Sequence, residues 1–444
     1  MTRAFNWKIV FKTMGALMVI EGLFMAIATG VCLFYDDPDS GAFLVATIVT
    51  LVTSVWGLLL GHRAPKQVGE REGYVIVACV GGGFSIFGML PYYLSGAIPS
   101  FTDAWFETMS GFTTTGATVL ADVESLTHGA LFWRSMTQWI GGMGIIVLSI
   151  AILPMFGLGG MQLYAAEVTG LNYEKISPRI AATAKWLWGL YIILTATEFI
   201  ILSFLGMSPL DAICHSFSTI ATGGFSTQNL SIQNYSAAIQ YTIAIFMLLS
   251  GINFALMVFA LRGRTKRLLQ DEETKWYLSA VTICVFILFV GLFIHYSFID
   301  TEYAITTLHE GLVNLERAFR KSFFMVTSAM TSTGFAASDY MTWPKLLWVL
   351  VFFMMFTGAS SGSTSGGIKW IRIAIFAKSG ITEFKRRIHP NAIVPVKLNG
   401  QPLNQTTINN VMGFMVFYIF ILVLTVLIFC ACGVNFDESI GTAV

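Results

Sequence analysis

DAWFETMSGFTTTGAT, Asp103 to Thr118, is one of three stretches in the chain that share a pattern. The second is DAICHSFSTIATGGFS, Asp211–Ser226, and the third is KSFFMVTSAMTSTGFA, Lys321–Ala336. Offsets of 108 and 218 residues align Ser110 with Ser218 and Ser328, and then Gly116 with Gly224 and Gly334 six residues later. The same offsets bring Thr113 onto Thr331, Thr114 onto Thr222 and Thr115 onto Thr333. One Ser or Gly match is cheap; several in one register make a repeat. Asp103 and Asp211 stand where a helix N-cap belongs, so each stretch reads as a short helix followed by a Thr/Gly-rich extended segment.

The flanks say where these segments sit. Apolar runs near 9–35, 41–61, 74–98, 132–154, 184–206, 238–261, 277–299, 344–378 and 408–434 are each long enough to cross a bilayer. The composition agrees: 55% of the 444 residues are apolar or aromatic and 11% are charged, against about 25% charge in a soluble domain. Arg3, Lys8 and Lys12 precede the first run as in a signal peptide, but that run reaches Tyr35. It is too long for an h-region of about 7–15 residues and reads as a retained helix. Most of the 26 Lys and Arg fall in the N-terminal tail and the stretches 62–73, 155–185, 262–275 and 369–397. The positive-inside rule puts these in the cytoplasm with the N-terminus. Arg317, Arg320 and Lys321 are the exception, on the outer side. The net charge of +1 argues against a nucleic-acid partner, for which a single-sign field is expected.

The repeats then occupy the outer connections 99–131, 207–237 and 300–343. Each is too long for a turn and too short for a span, and fits a helix that dips in and a strand that returns. In lipid such backbone survives only where it is buried or lines water. A helix entering from outside aims its negative dipole end at the bilayer centre, which favours a cation there. The segments Thr113, Thr114, Thr115, Gly116; Ala221, Thr222, Gly223, Gly224; and Thr331, Ser332, Thr333, Gly334 can aim backbone carbonyls at one axis and replace an ion's water shell.

A second signal lies in the eighth apolar run, where Thr357–Gly367, TGASSGSTSGG, holds only Gly, Ala, Ser and Thr. Eleven such residues interrupt a membrane helix, the usual pointer to an ion pathway. Gly141, Gly142, Gly144 and Gly251 are weaker versions, for which close helix packing is as good a reading.

FTTTGAT, IATGGFST and MTSTGF, with QWIGGMGIIVLSIAILP and GASSGSTSGGIKWIRI, resemble the Trk/Ktr/HKT superfamily of potassium transporters over essentially the whole chain. The extra helix pair at 9–61 and GGMQLYAAE at 159–167 resemble its Trk-type bacterial membrane subunits most. The resemblance implies an all-α integral membrane protein of helix–pore loop–helix repeats in pseudo-fourfold arrangement around one K⁺ pathway. The expected division is a helix pair (1–73), repeats at 74–182, 183–275 and 276–400, and the start of a fourth at 401–444. It implies K⁺ selection by the three segments above, with no covalent cofactor. It also implies an intramembrane gate loop containing Gly358, Ser360, Ser361, Gly362, Ser363, Thr364, Gly366 and Gly367. A lipid environment in the bacterial inner membrane, a homodimer and a cytosolic ring of RCK-type nucleotide-binding subunits are implied as well.

Asp437 aligns with Asp103 at an offset of 334, which puts the fourth filter glycine at position 450, beyond Val444. The native protein is expected to continue for about 40 residues. The alternative expectation is a non-conducting or assembly subunit.

Other features are weaker. The six cysteines, Cys32, Cys79, Cys214, Cys284, Cys430 and Cys432, form no C-x-x-C pair and read as packing residues. Gly358–Gly362 matches the G-x-S-x-G nucleophile motif at Ser360, but it breaks a membrane helix where that chemistry needs a strand-to-helix turn with a histidine and an acid. An enzyme is not expected. Glu21 and Glu198 fall inside apolar spans, where a carboxyl is costly. Glu107 and His215 share one aligned position and are expected to anchor their helices. Lys385-Arg386-Arg387 is a positive-inside signal or a docking surface.

Overall fold

The computed structural model describes residues 5–62, 64, 70–147, 180–299, 308–392 and 394–443. The chain divides into two compact units. Among the described residues, one takes the chain up to Ser250 together with Thr333–Ser338; the other takes Gly251–Ser332 and the chain from Asp339 onward.

The first unit opens with a helix pair, α1 (Trp7–Phe34) and α2 (Ser40–Leu60). Small residues let the two backbones touch, as in membrane helix pairs generally. A Cβ added at Gly15 would lie 2.7 Å from the Ser54 carbonyl oxygen and the Leu58 nitrogen. Thr29 and Thr47 meet hydroxyl to hydroxyl at 3.1 Å. The outer faces, with Leu23, Ile27, Val45, Ile48 and Val52, stay exposed and suit contact with lipid.

Next come α3 (Glu70–Gly88), α4 (Leu90–Ser95), α5 (Phe101–Phe112) and α6 (His128–Val147). The run expected to cross at 74–98 is thus two helices with a break at Met89. Pro91 lacks an N–H and its ring crowds the carbonyl four residues back. α7 (Ile180–Phe204), α8 (Pro209–Ile220) and α9 (Ala237–Ser250) complete the unit. The end of the 132–154 run, from 148 onward, and GGMQLYAAE lie outside the described residues.

The second unit begins with α10 (Phe254–Leu261), so the run expected to be one span at 238–261 is broken at Gly251–Asn253. Asn253 caps α10, accepting from the backbone N–H groups of Ala255 and Leu256. Then follow α11 (Thr265–Gln270), α12 (Glu272–Ile294), α13 (Leu308–Met330), α14 (Lys345–Met355), α15 (Trp370–Ile388), α16 (Gln405–Ala431) and α17 (Phe436–Ala443). The two-residue strands β1 (Lys397–Leu398) and β2 (Gln401–Pro402) pair antiparallel. Asn399 and Gly400 form the turn, with φ of 48° and 79°, the Asn-Gly signature of a tight hairpin. Asn399 exchanges backbone–side-chain bonds of 2.8 Å with Glu272 and so pins the start of α12.

Among the described residues, five helices are long and apolar enough to cross a membrane: Trp7–Phe34, Ser40–Leu60, Lys185–Phe204, Glu272–Phe298 and Gln405–Ala431; counting the broken pair α9–α10 as one makes six. The sequence expectation of nine counted α3–α4, α6 and α14–α15 as well. The first and last are interrupted, and α6 is described only to Val147.

Candidate functional site

α5 and α8 start on serine, not on aspartate as expected. Ser100 and Ser208 accept from the N–H groups of Asp103 and Asp211, at 3.4 and 3.1 Å. A serine hydroxyl reaches the third helical N–H, and the aspartates then sit in the first turn, where a carboxylate meets the positive end of the helix dipole.

The C-terminal ends of these helices are the centre of the site. At α5, Thr114 N–H bonds the Gly111 carbonyl at 3.0 Å and Thr115 N–H bonds the Ser110 carbonyl at 2.9 Å. At α8, Thr222 bonds Thr219 at 3.0 Å and Gly223 bonds Ser218 at 2.8 Å. This is the Schellman closure, whose first residue past the helix must be left-handed. That residue is usually glycine, but here it is Thr114 (φ 54°), Thr222 (φ 52°) and Ser332 (φ 56°). Two residues on, Gly116, Gly224 and Gly334 are left-handed too, with φ of 77°, 78° and 84°. In an ordinary strand successive carbonyls point to opposite sides; reversing the sign of φ at alternate residues turns them towards the same side. Three segments 108 and 218 residues apart therefore carry one uncommon backbone conformation. The glycines were legible in the sequence. The left-handed threonines and serine were not, because L residues with a Cβ avoid that region at a cost of roughly 1–2 kcal/mol.

The three return segments are neighbours. A Cβ added at Gly116 would collide with the Gly223 carbonyl oxygen, and one at Gly224 with the Thr333 carbonyl oxygen. Ile232 N–H reaches the Ala336 carbonyl at 3.0 Å. Gly116, Gly224 and Gly334 are thus drawn together in the first unit.

Buried polar side chains stand behind them. Glu107 accepts from Arg134 Nε at 2.6 Å, from Thr118 Oγ1 at 2.9 Å and from Val119 N–H at 3.0 Å. Arg134 also donates to the Ser226 carbonyl at 2.9 Å, and its guanidinium lies 3.6 Å from the centre of the Phe225 ring. The pair thereby touches the return segments of both the first and the second hairpin. His215, aligned with Glu107, bonds Ser226 Oγ at 3.0 Å and the Asp211 carbonyl at 2.8 Å. The anchoring expected of Glu107 and His215 has this geometry. Arg134 gave no such signal in the sequence, where it sat at the end of a span like any cation. Gln138, a turn further along α6, likewise drew no notice; its amide bonds the second hairpin.

Loop 357–367 belongs to the second unit and is an interruption between α14 and α15, as expected. Gly358 N–H bonds the Ile368 carbonyl at 2.9 Å and Ile368 N–H bonds the Phe356 carbonyl at 3.1 Å, which closes the loop at its base. Gly251 lies between Ala359 and Thr331, and Gly366 lies against Ser332. Ser360 N–H bonds the Gly251 carbonyl at 3.0 Å, and Phe254 N–H the Gly362 carbonyl at 3.1 Å. Asn253 Nδ2 donates to the Ser361 carbonyl at 2.7 Å. Glu273 accepts from Ser361 N–H at 2.5 Å, Ser361 Oγ at 2.7 Å and Ile371 N–H at 3.2 Å. The break at Gly251 thus receives the loop, whereas Gly141 and Gly142 sit in the continuous α6, packed against Phe112 and Ala221. Glu273 reads in sequence as one acid of an ordinary helix start, DEE; only the fold turns it towards the loop.

Glu21 and Glu198 are fully buried and their carboxyl oxygens have no hydrogen-bond partner among the described residues. The Ser360 hydroxyl is likewise buried without a hydrogen-bond partner among the described residues. All six cysteines are free, and no group of His, Cys, Asp or Glu among the described residues could hold a metal.

Long apolar helices, interrupted spans and three helices that end on aligned, left-handed turns (two of them of 12 residues and the third, α13, of 23) define a multi-pass membrane protein of the re-entrant hairpin class. The comparisons narrow this. Residues 41–440 match the family TrkH, described as "Cation transport protein". The Trk system potassium uptake protein TrkH of Salmonella typhimurium is 38% identical over 443 residues, spanning 99% of this chain and 89% of that protein. TrkG of Escherichia coli K12, also a Trk system potassium uptake protein, is 32% identical over 98% of this chain and 87% of its own length. The crystal structure of the potassium transporter TrkH from Vibrio parahaemolyticus superposes with a TM-score of 0.86 at 33% identity, covering 98% of this chain and 88% of that one. This chain belongs to the TrkH family of cation transport proteins, which are transporters and not enzymes.

Proposed function

We propose that this chain is the membrane subunit of a Trk-type potassium uptake system. K⁺ passes the backbone carbonyls of 113–116, 221–224 and 331–334, and loop 357–367 gates the passage. The single observation that carries this reading is the repeated alternation of left-handed backbone at 114/116, 222/224 and 332/334, which turns neighbouring carbonyls one way as an ion-coordinating ring requires. The approach of Gly366 in the loop to Ser332, the residue leading into Thr333, supports its role as gate.

The repeats at 74–182, 183–275 and 276–400 follow from the hairpins. α16 followed by the short α17, with Asp437 in its first turn, supports a fourth beginning at 401. A homodimer in the bacterial inner membrane, with a cytoplasmic N-terminus and a cytosolic nucleotide-binding regulatory ring, completes the reading. The cations Lys385, Arg386 and Arg387 at the end of α15 offer that ring a docking surface.

The test is Gly116→Ser in the full-length protein. The side chain meets both a left-handed φ and the Gly223 carbonyl, so Rb⁺ over Na⁺ preference in proteoliposome flux should fall. An unchanged ratio would refute the assignment of the carbonyl ring.

A further inference from the structure

At the middle position of the left-handed alternation the first and third segments carry Thr115 and Thr333, and the second alone carries Gly223. Gly223 does not have a positive φ, so its own backbone conformation does not call for glycine. The reason is a neighbour. A Cβ built on Gly223 would lie 2.6 Å from Gln138 Oε1 and 2.7 Å from Nε2. The amide of Gln138 occupies the space that a threonine side chain would take.

That amide is bonded at both ends. Gln138 Nε2 donates to the Gly223 carbonyl at 2.7 Å, and Gln138 Oε1 accepts from Phe225 N–H at 3.1 Å. The two bonds straddle Gly224, and only one orientation of the amide satisfies both. Gln138 is fully buried on α6, a helix of the first repeat. The Gly223 oxygen it holds is the atom that faces Gly116 of the first hairpin. One side chain thus sets the height and rotation of the second segment against the first, and Arg134 four residues earlier on the same helix holds the Ser226 carbonyl, three residues further along that segment.

We propose that Gln138 is a selectivity-determining positioning residue, a two-point clamp that fixes the Gly223–Gly224 segment in the ion-coordinating ring. It does not touch the ion. This rests on the carbonyl-ring reading given above. A clamp of this kind explains why the second repeat departs from the Thr-Gly pair of the other two: Gln138 and Gly223 are one unit, with the amide of the first replacing the side chain of the second.

The experiment is a double-mutant cycle read by Rb⁺/Na⁺ flux ratio in proteoliposomes of the full-length protein, with Gly116→Ser alongside. Gln138→Leu removes both bonds and should lower the ratio at least tenfold, because two buried backbone groups are left unpaired. Gly223→Ala pushes the amide off its seat and should lower it similarly. In a Gln138→Ala background, where the seat is empty, Gly223→Ala should add nothing, and Gly223→Thr should recover part of the ratio by restoring the side chain that the other repeats carry. Additive losses, or a wild-type ratio in Gln138→Leu, would overturn the inference while leaving the ring standing if Gly116→Ser still lowers the ratio. If Gly116→Ser has no effect either, the ring itself has failed. Should Gln138→Leu not fold, Gln138→Asn, which is too short to reach both groups, supplies the same comparison.

Discussion

Replacing Glu273 with leucine should release the gate loop. The carboxyl accepts from Ser361 N–H, Ser361 Oγ and Ile371 N–H, and leucine accepts from none of them. The Ser361 hydroxyl can turn to another partner, but the two N–H groups stay buried without one, at about 1–3 kcal/mol each. The loop's held position therefore weakens by about 3 kcal/mol, which is about 150-fold in an equilibrium constant. Rb⁺ flux through full-length Glu273→Leu in proteoliposomes, with no regulatory partner present, should rise towards that factor as long as the open state remains the minor one. In a cysteine-free background, a thiol placed at Ser363, which is buried, should react with a water-soluble reagent faster by a similar factor. If neither the flux nor the labelling rate moves, Glu273 does not hold the loop and the reasoning is wrong.

Other outcomes follow from the same contacts. Arg134→Leu leaves the Glu107 carboxylate buried and unpaired, at a cost of about 3–5 kcal/mol; Arg134→Leu with Glu107→Leu should melt in detergent at a higher temperature than Arg134→Leu alone, and a lower one would contradict this. Glu198→Gln should melt close to the wild type, because Glu198 is fully buried with no cation paired to it among the described residues and an amide matches a carboxyl in shape; a fall of more than a few degrees would show that the charge matters. Asn253→Ala removes both the α10 cap and the bond to the Ser361 carbonyl and should raise basal Rb⁺ flux in the same assay, though less than Glu273→Leu, since fewer of the bonds it breaks hold the loop.

Much of this molecule can be read from residue order. The repeat shows in Ser110, Ser218 and Ser328 with the glycines six residues later, because a backbone that must be left-handed at one point leaves glycine there. The interrupted eighth run shows because eleven small residues in a row cannot bury an apolar helix face. The break at Met89 escaped the reading, since hydropathy counts apolar residues and Pro91 passes such a count. The serine caps escaped it because aspartate is an equally good cap by type, and only the chain's entry direction chooses between them.

Residue order alone therefore determined what is local or periodic: apolar runs, their charge asymmetry, the triplicate hairpins and the glycine positions, all of which are properties of consecutive residues. Only the tertiary structure decided which polar side chains serve the site. Arg134, Gln138, Asn253 and Glu273 look unremarkable where they stand in the chain. Each acquires its role from a backbone group tens of residues away (85 in the case of Gln138 and Gly223), because a buried donor or acceptor must find its partner in space, whatever their separation in sequence.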